Sequence, residues 1–150
     1  MKSGKNQHLI LGILFLSWII GYFDKNAINV ASIQIGKEFG LNTGQIGVIM
    51  SSFFLSYAAM TIFGGILADR YGSRRVITTI MILWSVFTVF TGLAWSFLSI
   101  VFTRFIFGAA EGAFPSASSV TIAELFPKEQ RGRAKSFLVS ASTVGMAFGT

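Results

Sequence analysis

Two long stretches without a charged residue dominate the chain, Gln45 to Ala68 and Val76 to Thr103. Each exceeds the roughly 20 apolar residues that a helix needs to cross a bilayer. At their junction stand Gly65, in the last turns of the first run, and Asp69, Arg70, Gly72, Arg74 and Arg75, a short charged segment punctuated by glycine. An arginine-rich turn at such a junction predicts the cytoplasmic end of two neighbouring spans. The pattern therefore predicts an all-α, polytopic membrane protein.

Five spans can be placed on the same grounds. The first covers residues 8–35 and the second 45–67. Val76 to Phe126 would measure about 76 Å as one helix at 1.5 Å per residue. That is over twice the hydrocarbon thickness of about 30 Å, so the segment must fold back. The turn is expected near Gly92 to Ser96, where Trp95 suits a membrane interface. This gives a third span at 76–94 and a fourth at 97–125. Pro127 and the run Lys128 to Arg133 are expected to end the fourth helix and form a basic loop. A fifth span begins at 134 and runs to Thr150, starting on a charge and ending on Gly149-Thr150 without a cap. The chain is therefore expected to be the front of a longer protein.

Charge placement adds an orientation. Lys2, Lys5, Arg70, Arg74, Arg75, Lys128, Arg131, Arg133 and Lys135 fall on one side of these spans, and Lys37 alone on the other. This asymmetry predicts a cytoplasmic N-terminus in a multi-pass protein of the cell membrane. Lys2 and Lys5 followed by the apolar run Leu9 to Ile20 imitate a signal peptide. No small-x-small cleavage site follows closely, so the segment reads as an uncleaved first span.

The composition agrees, with 53% hydrophobic and 12% charged residues against about 25% charged in soluble domains. A net charge of +6 would raise the question of nucleic acid. The basic residues lie in loops beside the spans and form no basic face, which argues against such a partner. The chain has no cysteine and a single histidine, His8, at the start of the first span, where it reads as an interfacial residue. No phosphate-binding Gly-x-x-x-x-Gly-Lys-Ser/Thr run, metal-ligand cluster or nucleophile–base pair can be assembled. No cofactor and no enzymatic activity are expected.

The candidate chemistry lies in four ionisable residues inside spans: Asp24, Lys25, Arg104 and Glu111. On insertion scales each such charge costs about 2.5–3.5 kcal/mol near a helix centre, so it must face a partner or a wet cavity. Asp24 and Glu111 fall near mid-depth. Arg104 precedes Glu111 by two turns, about 10 Å along the helix and only about 20° around it, so the two share a stripe. A buried carboxylate has a raised pKa and can take and release protons near neutral pH. The two cations can hold an anion. Structural ion pairing, Asp24 with Arg104 and Lys25 with Glu111, is the competing reading. Gly108, Ala109, Ala110, Gly112 and Ala113 flank Glu111, either for close helix packing or to open room for a ligand. Pro115 is expected to bend this helix. Tyr22, Asn26, Asn29, Ser51, Ser52 and Tyr57 are further polar residues within spans, and Tyr57 is the strongest of them as a ligand contact.

Several of these residues also carry a resemblance. Gly65-x-x-x-Asp69-Arg70-x-Gly72-x-Arg74-Arg75 matches the signature between helices two and three of the major facilitator superfamily. Arg104-Phe-x-x-Gly108 and Gly145-x-x-x-Gly149 resemble two further signatures of that superfamily. Tyr22-Phe-Asp24-Lys25, Phe53-Phe-Leu-Ser-Tyr57, Glu111-Gly-Ala-Phe-Pro115 and Leu125-Phe-Pro-Lys-Glu-Gln-Arg131 are similar to the anion:cation symporter family, which includes bacterial sugar-acid permeases. Lys25 stands where that family usually has arginine, and Thr61 and Phe63 where sugar-acid permeases often have glutamine and proline.

The resemblance implies the N-terminal part of a twelve-helix fold, with about four complete transmembrane helices and a truncated fifth from an N-terminal six-helix bundle. It implies proton-coupled symport of an organic anion, a sugar acid such as a hexuronate, aldarate or aldonate, by alternating access. Lys25, Arg104 and Tyr57 would then bind substrate, and Asp24 and Glu111 would couple protons. Gly65, Asp69, Arg70, Gly72, Arg74 and Arg75 would form a gating loop that meets the missing C-terminal half. The implied partners are the small anion, protons, the lipid bilayer and that half. A proton-driven drug exporter of the same superfamily and a truncated, non-transporting membrane module are the alternatives.

Overall fold

The computed structural model describes residues 4–148, and all regular structure among them is helical. Five helices follow one another: α1 Gly4–Glu38, α2 Thr43–Tyr71, α3 Ser73–Gly92, α4 Phe97–Leu125 and α5 Lys128–Phe148. Asn6–Ile28 of α1 and the whole of α2, α3 and α4 are long and apolar enough to cross a membrane. Leu55, Ile62, Ile66, Leu98 and Phe102 are among the large apolar side chains left exposed on these helices. Side chains of that kind suit a lipid surface, where burial against protein is not needed.

The connections are short, and the sequence explains each of them. α1 closes with Gly40 at a φ of 62°, a left-handed position that glycine adopts without a Cβ penalty, and Leu41 N–H donates back to Gly36 O at 2.8 Å. Asn42 and Gln45 form a reciprocal capping box at the start of α2, with bonds of 2.9 and 3.0 Å. Between α3 and α4, Ser99 Oγ accepts the backbone N–H groups of Trp95 and Ser96, and Ser96 Oγ accepts Ser99 N–H. Trp95 stands 81% exposed at this turn.

Only Gly72 separates α2 from α3, at a φ of 89°. Its N–H donates to Ala68 O at 2.9 Å, and its carbonyl accepts Val76 N–H at 3.2 Å. The expected charged loop is thus a single residue. Asp69 and Arg70 occupy the last turn of α2, and Arg74 and Arg75 the first turn of α3. An L-residue at this φ carries backbone strain, so Gly72→Ala is expected to destabilise the α2–α3 hairpin by about 1–3 kcal/mol. A thermal unfolding series in detergent measures this, and an unchanged transition would refute it.

A second difference concerns Lys128 to Arg133, expected as a loop. These residues form the first turns of α5. Pro127 O accepts Gln130 N–H at 2.9 Å to start the helix. Arg131 folds back to donate to Phe126 O at 3.0 Å and Ala123 O at 2.7 Å. A cation on the terminal carbonyls of α4 satisfies orphan acceptors and complements the helix dipole. Leu125 also accepts from Gln7 Nε2 at 2.7 Å, which ties the start of α1 to this junction.

The chain divides into two compact units, Met1–Ala31 with Thr121–Thr150, and Ser32–Val120. In the first, α1 packs on α5 through Phe15 stacked on Phe137 at 4.5 Å and through Gly145, where an added Cβ would lie 2.7 Å from Tyr22 Cβ. In the second, Phe53, Trp84, Phe107 and Ala110 form the core between α2, α3 and α4. Trp84 meets Phe107 and Phe114 edge-on, each at 6.2 Å.

Candidate functional site

α4 carries the buried charge of the second unit. Glu111 is 4% exposed, and Arg104, two turns earlier, is half-buried with its guanidinium 5.2 Å from the Phe107 ring. The helix stays continuous through Pro115. Proline has no N–H to give to the Glu111 carbonyl four residues back. One turn further on, Ser118 and Ser119 hydroxyls each donate to Pro115 O at 2.8 Å.

The space beside Gly108 and Gly112 is not open to a ligand, because α2 fills it. A Cβ at Gly108 would strike Phe53 O, and one at Gly112 would strike Tyr57 O and lie 2.6 Å from Tyr57 Cα. Gly64 of α2 makes the reciprocal approach, where a Cβ would lie 2.6 Å from Ala113 Cα. Hydroxyls stitch the same seam. Thr61 Oγ1 donates to Gly112 O at 3.0 Å, Ser116 Oγ donates to Thr61 O, and Ser52 Oγ reaches Val101 O at 3.4 Å. Of the two readings of these small residues, close helix packing holds at both glycines. Thr61, one of the departures from sugar-acid permeases, serves here as an interhelical clamp.

Tyr57 is half-buried against the Phe53–Trp84–Phe107 core, with its ring 5.9 Å from that of Phe53. The structure thus brings Tyr57, Arg104 and Glu111 onto two helices held in close contact. Ser52 is spent on the seam, while Ser51 is exposed.

In the first unit, Asp24, Lys25 and Asn26 are half-buried on α1. Lys25 Nζ lies 4.7 Å from the Tyr22 ring, and Tyr22 stacks on Trp18 at 5.7 Å. Lys135 of α5 lies 5.7 Å over the Trp18 ring. Two cations therefore bracket an aromatic pair, an arrangement worth about 0.5–1 kcal/mol or more per contact when desolvated. Sequence reasoning counted Lys135 only among the flanking charges and did not single out Trp18, because their pairing crosses from α1 to α5. His8 is exposed and meets Phe126 edge-on at 6.2 Å, as an interfacial residue would. Lys2, Gly149 and Thr150, and the side chains of Lys5 and Asn29, lie outside the described residues.

At the α2–α3 turn, Asp69, Arg70, Arg74 and Arg75 are all exposed, while Ser73 is 2% exposed beneath them. Arg70 lies 5.6 Å from the Tyr71 ring. Gly65 has ordinary room: a Cβ there would sit 3.6 Å from Ser116 Cβ. Among the described residues, no cluster of three or more histidine or acidic side chains could hold a metal ion.

A family model described as Major Facilitator Superfamily matches residues 14–150. A probable sulfoacetate transporter of Cupriavidus necator is 40% identical over 95% of this chain and 33% of its own length. A probable galactarate/D-glucarate transporter of Escherichia coli is 34% identical over 97% of this chain and 34% of its own. A hexuronate transporter of Bacillus subtilis is 32% identical over 95% of this chain and 34% of its own. The crystal structure of a bacterial homolog of the human lysosomal transporter Spinster, inward-facing and occupied, superposes with a TM-score of 0.90 at 27% identity, covering 98% of this chain and 32% of that one. The chain therefore spans about a third of the length of the curated relatives it matches.

Proposed function

The chain belongs to the major facilitator superfamily, and from that premise we propose that it forms the N-terminal part of a proton-coupled symporter for an organic anion. Members of this superfamily are multi-pass membrane transporters and not enzymes. The proposed cargo is a carboxylate such as a sugar acid. The observation that carries this reading is the buried carboxylate of Glu111 on the same helical stripe as Arg104, near the middle of α4; secondary transporters bind their cargo near the bilayer midplane. Relatives whose names state sulfoacetate, galactarate/D-glucarate and hexuronate as cargo point to the same chemical class.

The roles follow from electrostatics. Arg104 and Lys25 supply fixed positive charge, and Tyr57 supplies a hydroxyl, for a carboxylate that has left water. Protonation of Asp24 and Glu111 removes negative charge that would repel the anion, so proton and anion are carried together. Lys25 is a compact point charge, while Arg104 offers a planar fork suited to bidentate carboxylate binding. The exposed segment from Gly65 through Asp69, Arg70, Gly72 and Arg74 to Arg75 acts as a latch toward the C-terminal half, on the cytoplasmic side of the plasma membrane. Rocking of the two halves would alternate access to the site.

The test is uptake by the full-length protein reconstituted in proteoliposomes, with radiolabelled hexuronate and aldarate under an imposed pH gradient. Uptake that follows the gradient supports the reading, and export of cationic dyes with no anion uptake would overturn it. Removing one charge from a desolvated pair costs 2 kcal/mol or more, so Arg104→Gln is expected to raise KM for the anion by about thirtyfold or more. Arg104→Lys should fall between, since it keeps the charge and loses the fork. An unchanged KM in Arg104→Gln would remove Arg104 from the binding site.

A further inference from the structure

The second unit holds an apolar groove of about 330 Å³, and of its lining the transport reading uses only Arg75, at one end. Met60 and Leu67 of α2, Ile80 and Leu83 of α3, and Ala109 and Ala113 of α4 form its walls, with Tyr71 and Arg75 at one end. Glu111 is not among the lining residues. The volume is at the lower end of the range for small-molecule sites, about 300–1,000 Å³. The groove is as one-sided in its chemistry as it is in its placement.

Its length fits one leaflet. From Arg75 to Leu83 the α3 wall descends about 12 Å, and from Tyr71 to Met60 the α2 wall descends about 16 Å. Half of a hydrocarbon core about 30 Å thick is about 15 Å. The groove therefore runs from the level of the α2–α3 turn toward the bilayer centre.

Its mouth is net positive, since Arg70, Arg74 and Arg75 share the hairpin with one carboxylate, Asp69. The first turn of α3 contains Arg74 and Arg75 and no acidic residue, so two cations sit at the positive end of a helix dipole. That placement is locally unfavourable and suits an external anion. Arg70 adds to it, since its guanidinium lies 5.6 Å from the ring of Tyr71, itself a lining residue.

We propose that this groove binds an anionic phospholipid, with one acyl chain between α2, α3 and α4 and the headgroup phosphate held by Arg75 and the Tyr71 hydroxyl. Charge complementarity selects the headgroup and leaflet depth selects the chain. A neutral lipid would gain only the second. The site is separate from the proposed anion site and does not depend on it.

The full-length protein in nanodiscs of phosphatidylcholine, doped with phosphatidylglycerol bearing a photoreactive acyl chain, provides the test. Labelled peptides are mapped by mass spectrometry, and the matching phosphatidylcholine probe serves as the comparison. Label on the segments 79–83 and 106–113 should be about fivefold greater from the phosphatidylglycerol probe, the factor expected for one arginine near an anionic surface. Arg75→Gln should bring it down to the phosphatidylcholine level, and Ala109→Phe, which fills the groove, should remove label from both probes. Should Ala109→Phe fail to fold, competition by unlabelled phosphatidylglycerol against the wild-type protein gives the same decision. Equal label from both probes would overturn the proposal. So would label unmoved by Arg75→Gln and by competitor, or no label on these segments, which would mean that another part of the protein covers them.

Discussion

Glu111→Gln in the full-length protein is expected to abolish uptake driven by a pH gradient while leaving exchange of labelled for unlabelled anion intact. Glutamine has the shape of a protonated glutamic acid and cannot lose the proton. A carrier that binds its anion only when Glu111 is protonated would still bind, cross and exchange cargo in the variant. It could not return empty, because the return requires the deprotonated carboxylate. The burial of Glu111 makes this the position where the substitution matters most, since a carboxylate at 4% exposure has little water to stabilise its charge. Counterflow and gradient-driven uptake, measured on the same proteoliposomes, separate the two activities. Gradient-driven uptake at the wild-type rate would end this role for Glu111. Loss of both activities, in a variant that elutes as folded protein, would place Glu111 in anion binding or translocation instead of proton coupling alone.

The spans were legible because lipid imposes a simple rule on sequence. Charge-free runs long enough to cross give α2 and α3, and the length of the stretch from Val76 to Phe126 forces the turn that the structure places after Gly92. The turn between α2 and α3 was legible from its charges and glycines, but not its contraction to Gly72 alone, and the Asn42–Gln45 capping box was not read from the sequence. The stretch from Lys128 to Arg133 was misread because charge density alone suggests a loop. Its helicity depends on Arg131 finding carbonyls at the end of α4, a contact that polarity along the chain does not announce. The candidate site divides in the same way. Intramembrane charge marks Glu111 and Arg104 from sequence, whereas the Trp18–Lys135 contact and the groove between α2, α3 and α4 arise only when helices distant in sequence pack. The spacing of Gly108 and Gly112 left close packing and ligand room as two open readings; Ser116, four residues on, extends the same period along the face that meets α2.

That face yields the largest expected effect on folding: Gly112→Leu should prevent the helices from assembling, whereas Gly65→Ala should leave assembly intact. In a membrane the apolar effect does not drive helices together, so association depends on close packing and on interhelical hydrogen bonds. At Gly112 both depend on the missing side chain. Any Cβ there would strike the backbone of Tyr57, which can yield only if α2 moves as a whole. Moving it would stretch the 3.0 Å bond from Thr61 to Gly112 O and the bond from Ser116 to Thr61 O. Overpacking of this kind costs about 1–3 kcal/mol and sometimes more. Losing two interhelical hydrogen bonds adds about 0.6 kcal/mol each. At Gly65 a Cβ finds Ser116 Cβ at 3.6 Å, an ordinary contact, and alanine is the better helix former by about 1 kcal/mol. Fluorescence-detected size exclusion and a thermal ramp in detergent should therefore show aggregated or absent Gly112→Leu protein, beside Gly65→Ala at least as stable as wild type. Wild-type stability in Gly112→Leu would mean that α2 and α4 do not approach at this point. A folded Gly65→Ala that transports poorly would assign the signature glycine to gating, because packing within these helices gives no reason for it.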